Sequence, residues 1–278
     1  MSKLVLLATY WNEDEWIERS LKQIDNIKPD FSIICDGCFD ESRVNKSDDG
    51  TREAISDFCS KQSNRLMFSA IRGSRLTSLF KLLIFGLKKK FSLAYIYWVV
   101  RHCVFTDKYR LNQAVTFNKM LEHCINKFGD DFWFMTYDAD QFYSDEFIYG
   151  YREAINSSCG YKLLIAKEMT FNNGFDQYND HYEKRNWNNL PHKHMKNSVI
   201  LPTRDIKIAS LFKLKFYANT VKTFDFGHYF HYKFRVDSGR ADESYKVGDR
   251  KQPSSERMKD TLTFKGCHPK VIREFMRK

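Results

Sequence analysis

Apolar runs and amphipathic stripes alternate along the first half of the chain. Short apolar runs predict buried β-strands, and apolar positions at helical spacing predict helices between them. In chain order the predicted elements are strand 3–9, helix 12–24, strand 31–35, helix 51–60, strand 65–70 and helix 110–128. Asn12 is the expected N-cap of the first helix, whose buried face carries Trp16, Ile17, Leu21 and Ile24. This alternation predicts an α/β fold with a mostly parallel sheet and helices on both faces.

A further predicted strand leads into two aspartates. The aromatic run that starts at Phe132 reaches Asp138 and Asp140, which are one residue apart. Open α/β sheets bind ligands beyond the carboxyl ends of their strands. Carboxylate oxygens there suit Mg²⁺ or Mn²⁺, whose remaining positions go to substrate phosphates. The pair therefore predicts an enzyme that holds a nucleotide diphosphate through a metal. The alternative is that both residues merely open a polar turn.

Composition narrows the class of protein. Among the 278 residues, 42% are hydrophobic and 16% aromatic, which excludes a disordered chain. Seven cysteines lie at scattered positions, and the short apolar run after Lys3 does not read as a signal peptide, so we expect a reduced, cytosolic protein. Cys35 and Cys38 form a C-x-x-C, for which redox or zinc chemistry is one interpretation. No second such pair follows, which favours incidental thiols.

Four segments form an ordered set. Residues 4–13 run as an apolar strand into Thr-Tyr-Trp-Asn-Glu, residues 33–40 read Ile-Ile-Cys-Asp-Gly-Cys-Phe-Asp, and Asn118 precedes the D-x-D strand. This set resembles the family 2-type glycosyltransferases of the GT-A fold, with their Pro-Thr-Tyr-Asn-Glu turn, Val-Asp-Asp-Gly-Ser-Thr-Asp loop, Ala-Arg-Asn segment and D-x-D. The resemblance covers roughly residues 3–60 and 108–145. The departures are Ala8 in place of proline, Trp11 as an insertion and Cys35 in place of the first loop aspartate.

The resemblance implies how the chain is organised. Residues 1–145, with an insertion at 72–105, would be the nucleotide-sugar-binding half of one globular domain. Residues 146–278 would be the acceptor-binding half with a C-terminal tail. The implied reaction moves a sugar from a nucleotide-sugar donor to a glycan or lipid-linked acceptor hydroxyl, with inversion and with a divalent metal (Mn²⁺ or Mg²⁺) as cofactor. The metal would neutralise charge that develops on the diphosphate leaving group.

The resemblance also implies roles for particular residues. The donor-binding residues would be Thr9, Tyr10, Glu13, Asp36, Asn118 and Asp138. Asp138 and Asp140 would bind the metal, and a downstream histidine would be the third ligand, with His231 as first choice and His228 as the alternative. These histidines are three residues apart, so on a strand only one of them faces the metal. Asp36 is also open to interpretation as a turn residue, and the histidines as packed side chains.

An inverting transferase needs a general base that deprotonates the acceptor hydroxyl. Glu168, which ends the predicted strand 161–167, is the first choice because strand ends hold catalytic groups rigidly. Asp176 and Asp180 follow in a polar, aromatic loop and are the alternatives. Each of the three is also open to interpretation as a surface carboxylate.

The insertion at 72–105 is basic, aromatic and strongly apolar. Lys88, Lys89 and Lys90 divide its two apolar runs, and neither run approaches the about 20 residues needed to cross a bilayer. The pattern predicts a pair of amphipathic helices in the membrane interface, where the formal net charge of +10 adds attraction to anionic lipid. A helical hairpin packed on the core or in a dimer interface is the alternative. Membrane contact favours a lipid-linked acceptor at the inner face of the cell membrane, as in bacterial surface polysaccharide or lipopolysaccharide assembly.

Two other classes of function stay open. A basic, aromatic-rich chain is also typical of a nucleic-acid or membrane-binding module without catalysis. The basic residues surround an apolar insertion and no nucleic-acid-binding signature appears, so we expect no nucleic-acid partner. A metal-dependent nucleotidyltransferase would use the same two aspartates. It would normally carry a glycine-rich, lysine-containing phosphate loop near the N terminus, and residues 8–13 hold neither glycine nor lysine.

Overall fold

The computed structural model of the chain describes most of its residues. The described ranges are 2–89, 92–105, 107–157, 159–171, 174–179, 185–186, 190–196, 198–200, 206–219, 221–232 and 261–277. Asp180, one of the predicted bases, lies outside the described residues. The other candidate site residues lie within them.

Strands and helices alternate through the first half, as predicted. The strands are β1 Lys3–Tyr10, β2 Phe31–Asp36, β3 Arg65–Ser69, β4 Phe132–Asp138, β5 Gln141–Tyr143, β6 Leu163–Phe171, β7 Gln177–Asn179, β8 Arg185–Asn186, β9 His192–Lys193, β10 Ser198–Ile200, β11 Ile206–Ala209, β12 Leu214–Phe216, β13 Thr223–Tyr232 and β14 Thr261–Thr263. The helices are α1 Ile17–Ile27, α2 Thr51–Ser60, α3 Arg75–Lys89, α4 Leu93–Phe105, α5 Lys108–Phe128, α6 Asp145–Asn156 and α7 Lys270–Met276.

The centre of the main sheet is parallel. β3, β2, β1 and β4 lie side by side in that order, and each neighbouring pair is parallel. Side chains of β1 alternate between two apolar clusters: Leu4 and Leu6 pack in one, and Val5 and Leu7 pack in the other. Helices cover both faces, so β1, β2 and β4 are buried on both sides, whereas β3 at the border of the sheet is only partly buried. The predicted α/β fold is confirmed.

The second half of the main sheet is mixed. β9 is antiparallel to both β4 and β6, whereas β13 is parallel to β6 and antiparallel to β5. Tyr229 of β13 lies opposite Glu168 of β6, and His231 lies opposite Thr170. On its other side His231 lies opposite Gln141 of β5. This register brings the end of β13 beside the turn that follows β4.

The insertion contains the predicted pair of helices, α3 and α4. α3 and α4 run antiparallel, and Arg75 at the start of α3 donates a 2.8 Å hydrogen bond to the carbonyl of Cys103 near the end of α4. Leu82 and Val99 pack with residues of α5, so the core-packed alternative holds for the inner face of the pair. The outer face is exposed. No described helix is long and apolar enough to cross a membrane.

Two local predictions are wrong. α1 begins at Ile17 with Trp16 as its N-cap, and Asn12 has a left-handed backbone with φ of 52°, so Asn12 does not cap the helix. β6 does not end before Glu168 but continues to Phe171. The reason is that β13 pairs along the whole of this stretch, which extends the ladder beyond the apolar run that the sequence displays.

Candidate active site at the carboxyl edge of the sheet

Three parallel strands end at one edge of the sheet. The register of β1, β2 and β4 sets Thr9 beside Asp138 and Tyr10 beside Asp36. Parallel strands present their carboxyl ends at the same edge, which is where open α/β sheets bind ligands. Thr9 and Asp138 are half-buried there. Four of the predicted donor-binding residues therefore lie along one short stretch of this edge.

Asp140 and His231 meet at the same edge. Asp140 lies in the turn between β4 and β5, and its carbonyl accepts a 2.8 Å hydrogen bond from the backbone N–H of Tyr232. This bond fixes the end of β13 against the turn. The Nε2 atom of His231 lies 3.1 Å from Oδ2 of Asp140. His228, the alternative histidine, is exposed.

Glu168 lies on the far side of the His231 ring from Asp140. Its Oε1 is 2.6 Å from Nδ1 of His231 and accepts a 3.0 Å hydrogen bond from Thr170 Oγ1. Its Oε2 accepts a 2.7 Å hydrogen bond from the Tyr229 hydroxyl. Alternate residues of a strand share a face, so two residues of β6 and two of β13 point to the same side of the sheet. Glu168 is buried, and these donors compensate the cost of burying its carboxylate.

His231 is therefore held between two carboxylates. A neutral imidazole that donates from Nδ1 to Glu168 has its lone pair on Nε2, on the side of Asp140. Metal-binding histidines are commonly held in this way by a carboxylate on the other ring nitrogen. Octahedral ligands at about 2.1 Å from a metal are about 3.0 Å apart along an edge, close to the 3.1 Å between His231 Nε2 and Asp140 Oδ2.

The described residues offer few metal ligands at this site. No group of three or more His, Cys, Asp or Glu side chains among the described residues is arranged to hold a metal ion. The two atoms that do fit, Asp140 Oδ2 and His231 Nε2, leave most coordination positions to other ligands. Mg²⁺ sites of enzymes that bind phosphates commonly have one or two protein ligands, with water and phosphate as the rest. The residues present fit that kind of site.

Asp36 is buried and bonded within the protein. Its Oδ1 accepts hydrogen bonds from the Ser47 hydroxyl at 2.6 Å and the Ser47 N–H at 3.2 Å. Its Oδ2 lies 2.7 Å from Nη1 of Arg52, whose side chain is 30% exposed. The carboxylate thus orients a half-exposed guanidinium at the edge where the strands end. Gly37, which follows, has φ of 145°, and a Cβ there would lie 2.7 Å from Cβ of Ala70.

The loops after β1 and β2 are tied together. The Asn12 amide donates to Asp48 Oδ1 at 2.8 Å, and the Asp48 N–H donates to Asn12 Oδ1 at 3.1 Å. The Asn12 N–H also donates to Ser47 Oγ at 2.9 Å. The Glu13 N–H donates to Thr51 Oγ1 at 2.8 Å, next to the start of α2. The left-handed backbone of Asn12 allows these reciprocal bonds, since asparagine adopts that region more readily than most residues.

Tyr10 belongs to the core below this edge. It is buried, and its hydroxyl lies 2.7 Å from Ser20 Oγ. Burial is the main cause that raises the pKa of Tyr10 well above its usual value, and the charges of Tyr137, Asp138 and Glu13 raise it further. The hydroxyl therefore stays protonated. A role for the ring in supporting the edge fits this position better than direct contact with a nucleotide.

Asn118 lies inside the protein on α5. Its amide donates 2.8 Å hydrogen bonds to the carbonyls of Ala114 and Ile200, and its Oδ1 accepts a 3.4 Å bond from the Ile200 N–H. These bonds join α5 to β10, 82 residues away in sequence. A nucleotide could reach this amide only if they broke. The geometry favours a structural role over the donor contact that the resemblance implies.

The predicted bases lie in different surroundings. Glu168 is buried behind His231, whereas Asp176 is exposed just before β7. The carbonyl of Asp176 accepts a 2.8 Å hydrogen bond from the Phe264 N–H, which joins it to the C-terminal segment. An exposed carboxylate can reach an acceptor hydroxyl in solvent, and a buried, fully bonded one cannot do so without rearrangement.

Four residues of this edge are not predicted from the sequence: Ser47, Arg52, Thr170 and Tyr229. The last two could have been found, because each lies two residues from a predicted site residue on a strand and so shares its face. Arg52 carries no such signal. Its contact with Asp36 joins positions 16 residues apart across a loop, and no periodicity relates them.

The C-x-x-C is not a bonded pair. Cys35 and Cys38 are both free and buried. Burial raises the pKa of each thiol, most strongly at Cys35, so neither thiol is activated for redox chemistry. The geometry favours the interpretation of these residues as incidental thiols.

No protein-family model and no curated protein matches the chain. Solved structures do, among them two of TarS from S. aureus. The structure of its residues 1–349 has a TM-score of 0.34 and 12% identity over 62% of this chain and 37% of that chain. The other has a TM-score of 0.33 and 14% identity over 62% and 22%.

A third similar structure is glucosyl-3-phosphoglycerate synthase from Mycobacterium tuberculosis in complex with Mn²⁺, UDP and glucosyl-3-phosphoglycerate. Its TM-score is 0.29, with 13% identity over 60% of this chain and 44% of that chain. These neighbours are GT-A-type glycosyltransferases. The chain spans 22% to 44% of their lengths. Because these three TM-scores are below 0.5, the similarities do not identify the function.

Proposed function

We propose that this chain transfers a sugar from a nucleotide-sugar donor to a hydroxyl group of a glycan or lipid-linked acceptor. The observation that carries the proposal is the meeting of Asp140 and His231 at the carboxyl edge, with Glu168 bonded to the other imidazole nitrogen. Such an edge is where α/β sheets bind nucleotides. The ordered motifs over roughly residues 3–60 and 108–145 supply the reaction class.

Asp140 and His231 would hold a divalent cation, Mn²⁺ or Mg²⁺, with Asp138 beside them. When bound, the ion would neutralise negative charge on the nucleoside diphosphate leaving group. Glu168 holds the His231 ring in the orientation that turns Nε2 towards Asp140. The role of the protein is thus to preset two donor atoms at the separation that a small, hard cation requires.

The nucleotide would lie across the ends of β1 and β2. Thr9, near the end of β1, and Glu13, in the loop after it, would contact the nucleoside. Asp36 would act through Arg52, because its carboxylate orients the guanidinium, and a planar guanidinium matches phosphate oxygens. Tyr10 supports this surface from below.

The general base would be an exposed carboxylate of the acceptor half. Glu168 makes three hydrogen bonds inside the protein, so we assign it to positioning His231. Asp176 is then the candidate base within the described residues, and Asp180 is the next one along the chain. Attack by the activated hydroxyl from the side opposite the diphosphate would invert the sugar carbon.

The acceptor is proposed to be lipid-linked, at the inner face of the cell membrane. This follows from the basic, apolar insertion at 72–105, which leaves an apolar outer face exposed. Bacterial surface polysaccharide or lipopolysaccharide assembly would supply acceptors of this kind. The choice of pathway depends on the motif resemblance together with membrane contact.

A thermal-shift screen tests the proposal. The native chain would be heated with UDP, GDP, CMP or dTDP compounds, each with and without Mn²⁺. We expect one nucleotide to raise the unfolding midpoint only when Mn²⁺ is present, because a ligand that binds the native state stabilises it. Asp140→Asn should lose that shift. Asp57→Asn, which changes an exposed aspartate of α2, should keep it.

Two outcomes would overturn the proposal. If no nucleotide shifts the midpoint in the presence of Mn²⁺, the chain is not a nucleotide-dependent transferase. If nucleoside triphosphates are consumed with release of pyrophosphate while nucleotide-sugars are left intact, the same aspartates serve a nucleotidyltransferase.

A further inference from the structure

Two segments far apart in sequence are rich in lysine and arginine and hold no acidic residue. Residues 58–106 contain neither Asp nor Glu, and neither do residues 206–224. The first segment includes α3 and α4, and the second includes β11, β12 and the turn between them. A surface built from both segments therefore has cations and no acidic side chain of its own, which favours contact with anions.

The helix pair exposes two apolar stripes. On α3 the stripe is Leu76, Phe80, Ile84 and Leu87, and on α4 it is Leu93, Tyr97, Val100 and Val104. Within each stripe the members are three or four residues apart, so they lie along one face of their helix. The contacts with α5 use other positions, such as Leu82 and Val99. The residues of the two stripes thus take no part in packing the helix pair on the core, and they stay exposed.

The turn between β11 and β12 extends this apolar surface. Leu211 and Phe212 form its tip, and Phe212 is 72% exposed. The Leu211 carbonyl accepts a 2.9 Å hydrogen bond from the N–H of Leu93, the first residue of α4. Lys213, directly after the tip, is exposed. An apolar tip followed by a cation is thereby fixed at one end of the helix pair.

The opposite end of the helix pair lies near the candidate active site. Ser78 of α3 bonds with Asn112 of α5, and Lys88 of α3 pairs with Glu122, so α3 and α5 run in the same direction. α3 follows the carboxyl end of β3, and therefore starts at the edge where the site lies. Phe105, at the end of α4, is 81% exposed at this edge. A flat surface that covered both stripes would reach the rim of the site.

We propose that the α3–α4 outer face and the Leu211–Phe212 turn together dock on an anionic lipid bilayer. The inference rests on the proposed function only for the identity of the acceptor. Aromatic and aliphatic side chains would enter the boundary between headgroups and acyl chains, and the flanking cations would contact lipid phosphates. The absence of acids from both segments favours anionic lipid over a second copy of this chain, which would bring the same positive surface into contact with itself.

Vesicle sedimentation tests the docking surface. The full chain would be mixed with vesicles of phosphatidylcholine, or of phosphatidylcholine and phosphatidylglycerol at about 7:3, without any nucleotide. We expect binding only to the anionic vesicles, and weaker binding at high salt, because screening reduces the attraction. Leu211→Ser with Phe212→Ser, and separately Phe80→Ser with Ile84→Ser, should each weaken binding at least about tenfold.

Matched controls separate this inference from the proposed function. Tyr149→Ser removes an aromatic ring that is 78% exposed on α6, and should bind vesicles like the native chain. Asp140→Asn should also bind vesicles like the native chain, even if it loses nucleotide binding. The inference is overturned if the double variants sediment with anionic vesicles as the native chain does. It is also overturned if the native chain does not bind vesicles and forms a dimer instead. Sedimentation velocity would then show a dimer that both double variants dissociate.

Discussion

The Nδ1 atom of His231 lies 2.6 Å from Oε1 of Glu168, a buried carboxylate on the neighbouring parallel strand. Glu168 also accepts hydrogen bonds from Thr170 and Tyr229, so its position is fixed from three sides. The ring of His231 is thereby held with Nε2 towards Asp140. This relationship supports the proposed role of Glu168 in positioning the histidine, whereas the sequence alone suggested a catalytic base.

Substitution of Glu168 separates these two roles. If Glu168 positions His231, Glu168→Gln should weaken Mn²⁺ binding in the presence of the selected nucleotide roughly 10- to 100-fold. Titration calorimetry of Mn²⁺ measures this directly. Glu153→Gln, at an exposed position of α6, is the control. Native Mn²⁺ affinity combined with a large loss of sugar transfer in Glu168→Gln would show instead that Glu168 is the base.

Asn118→Ala tests whether Asn118 is structural. Loss of its buried hydrogen bonds to Ala114 and Ile200 should lower the free energy of unfolding by roughly 2–3 kcal/mol. Urea unfolding measures this, with Asn156→Ala at an exposed position as the control. Nucleotide affinity should stay within about twofold of native. A native-like stability with a large loss of nucleotide affinity would show instead that Asn118 contacts the nucleotide-sugar donor.

Gly37→Ala should destabilise the loop that carries Ser47 and leads to Arg52 at the start of α2. The new Cβ would lie 2.7 Å from Cβ of Ala70, and the backbone φ of 145° is one that only glycine adopts readily. We expect a loss of about 2–4 kcal/mol in urea unfolding, from strain and steric overlap together. Gly160→Ala, which has φ of 70° but open space around the new Cβ, should cost only about 1 kcal/mol. Equal losses would show that the contact with Ala70 is unimportant.

The buried side chain of His192 is expected to make the stability of the fold sensitive to acid. Burial lowers the pKa of His192 to about 3, so the folded chain keeps it neutral. Its contribution to stability is complete above the unfolded pKa of about 6.5 and is lost as the pH falls from there towards 3. His192→Asn should therefore have a shallower decline of stability over this range, by up to roughly 1 kcal/mol per pH unit.

Unfolding at pH 7.5 and at pH 5 measures the effect of His192. The Nδ1 atom of His192 lies 2.6 Å from the Leu190 carbonyl, and asparagine can donate to the same oxygen. His123→Asn, at an exposed position, is the control. An unchanged pH dependence in His192→Asn would mean that protonation of this ring does not limit stability in acid.

The sequence predicts the first half of the fold well because local pattern and tertiary structure agree there. The apolar runs of β1, β2 and β4 are buried on both faces, so they are visible without any partner strand. The strand with Glu168 is predicted too short because Lys167, Glu168 and Thr170 interrupt its apolar run, and pairing with β13 continues it to Phe171. Sequence alone cannot supply such a long-range partner.

Some contacts of the candidate site are also expected from the sequence, whereas others are not. The resemblance to the family 2-type glycosyltransferases implies that Asp140 and a downstream histidine lie together, which composition and periodicity alone do not indicate. The bond between Asp36 and Arg52 and the burial of Asn118 depend on how loops fold over the sheet, and no periodicity encodes them. The sequence therefore predicts which residue types gather at the edge, whereas the structure is needed to assign their roles.

We propose that Asp140 and His231 bind one divalent cation together with a nucleoside diphosphate. Titration calorimetry of Mn²⁺ into the native chain with the nucleotide selected by the thermal-shift screen tests it most directly. We expect one Mn²⁺ per chain, and a loss of at least about 100-fold in affinity in Asp140→Asn and in His231→Ala, with Asp57→Asn unchanged. Native Mn²⁺ affinity in both site variants would contradict the claim.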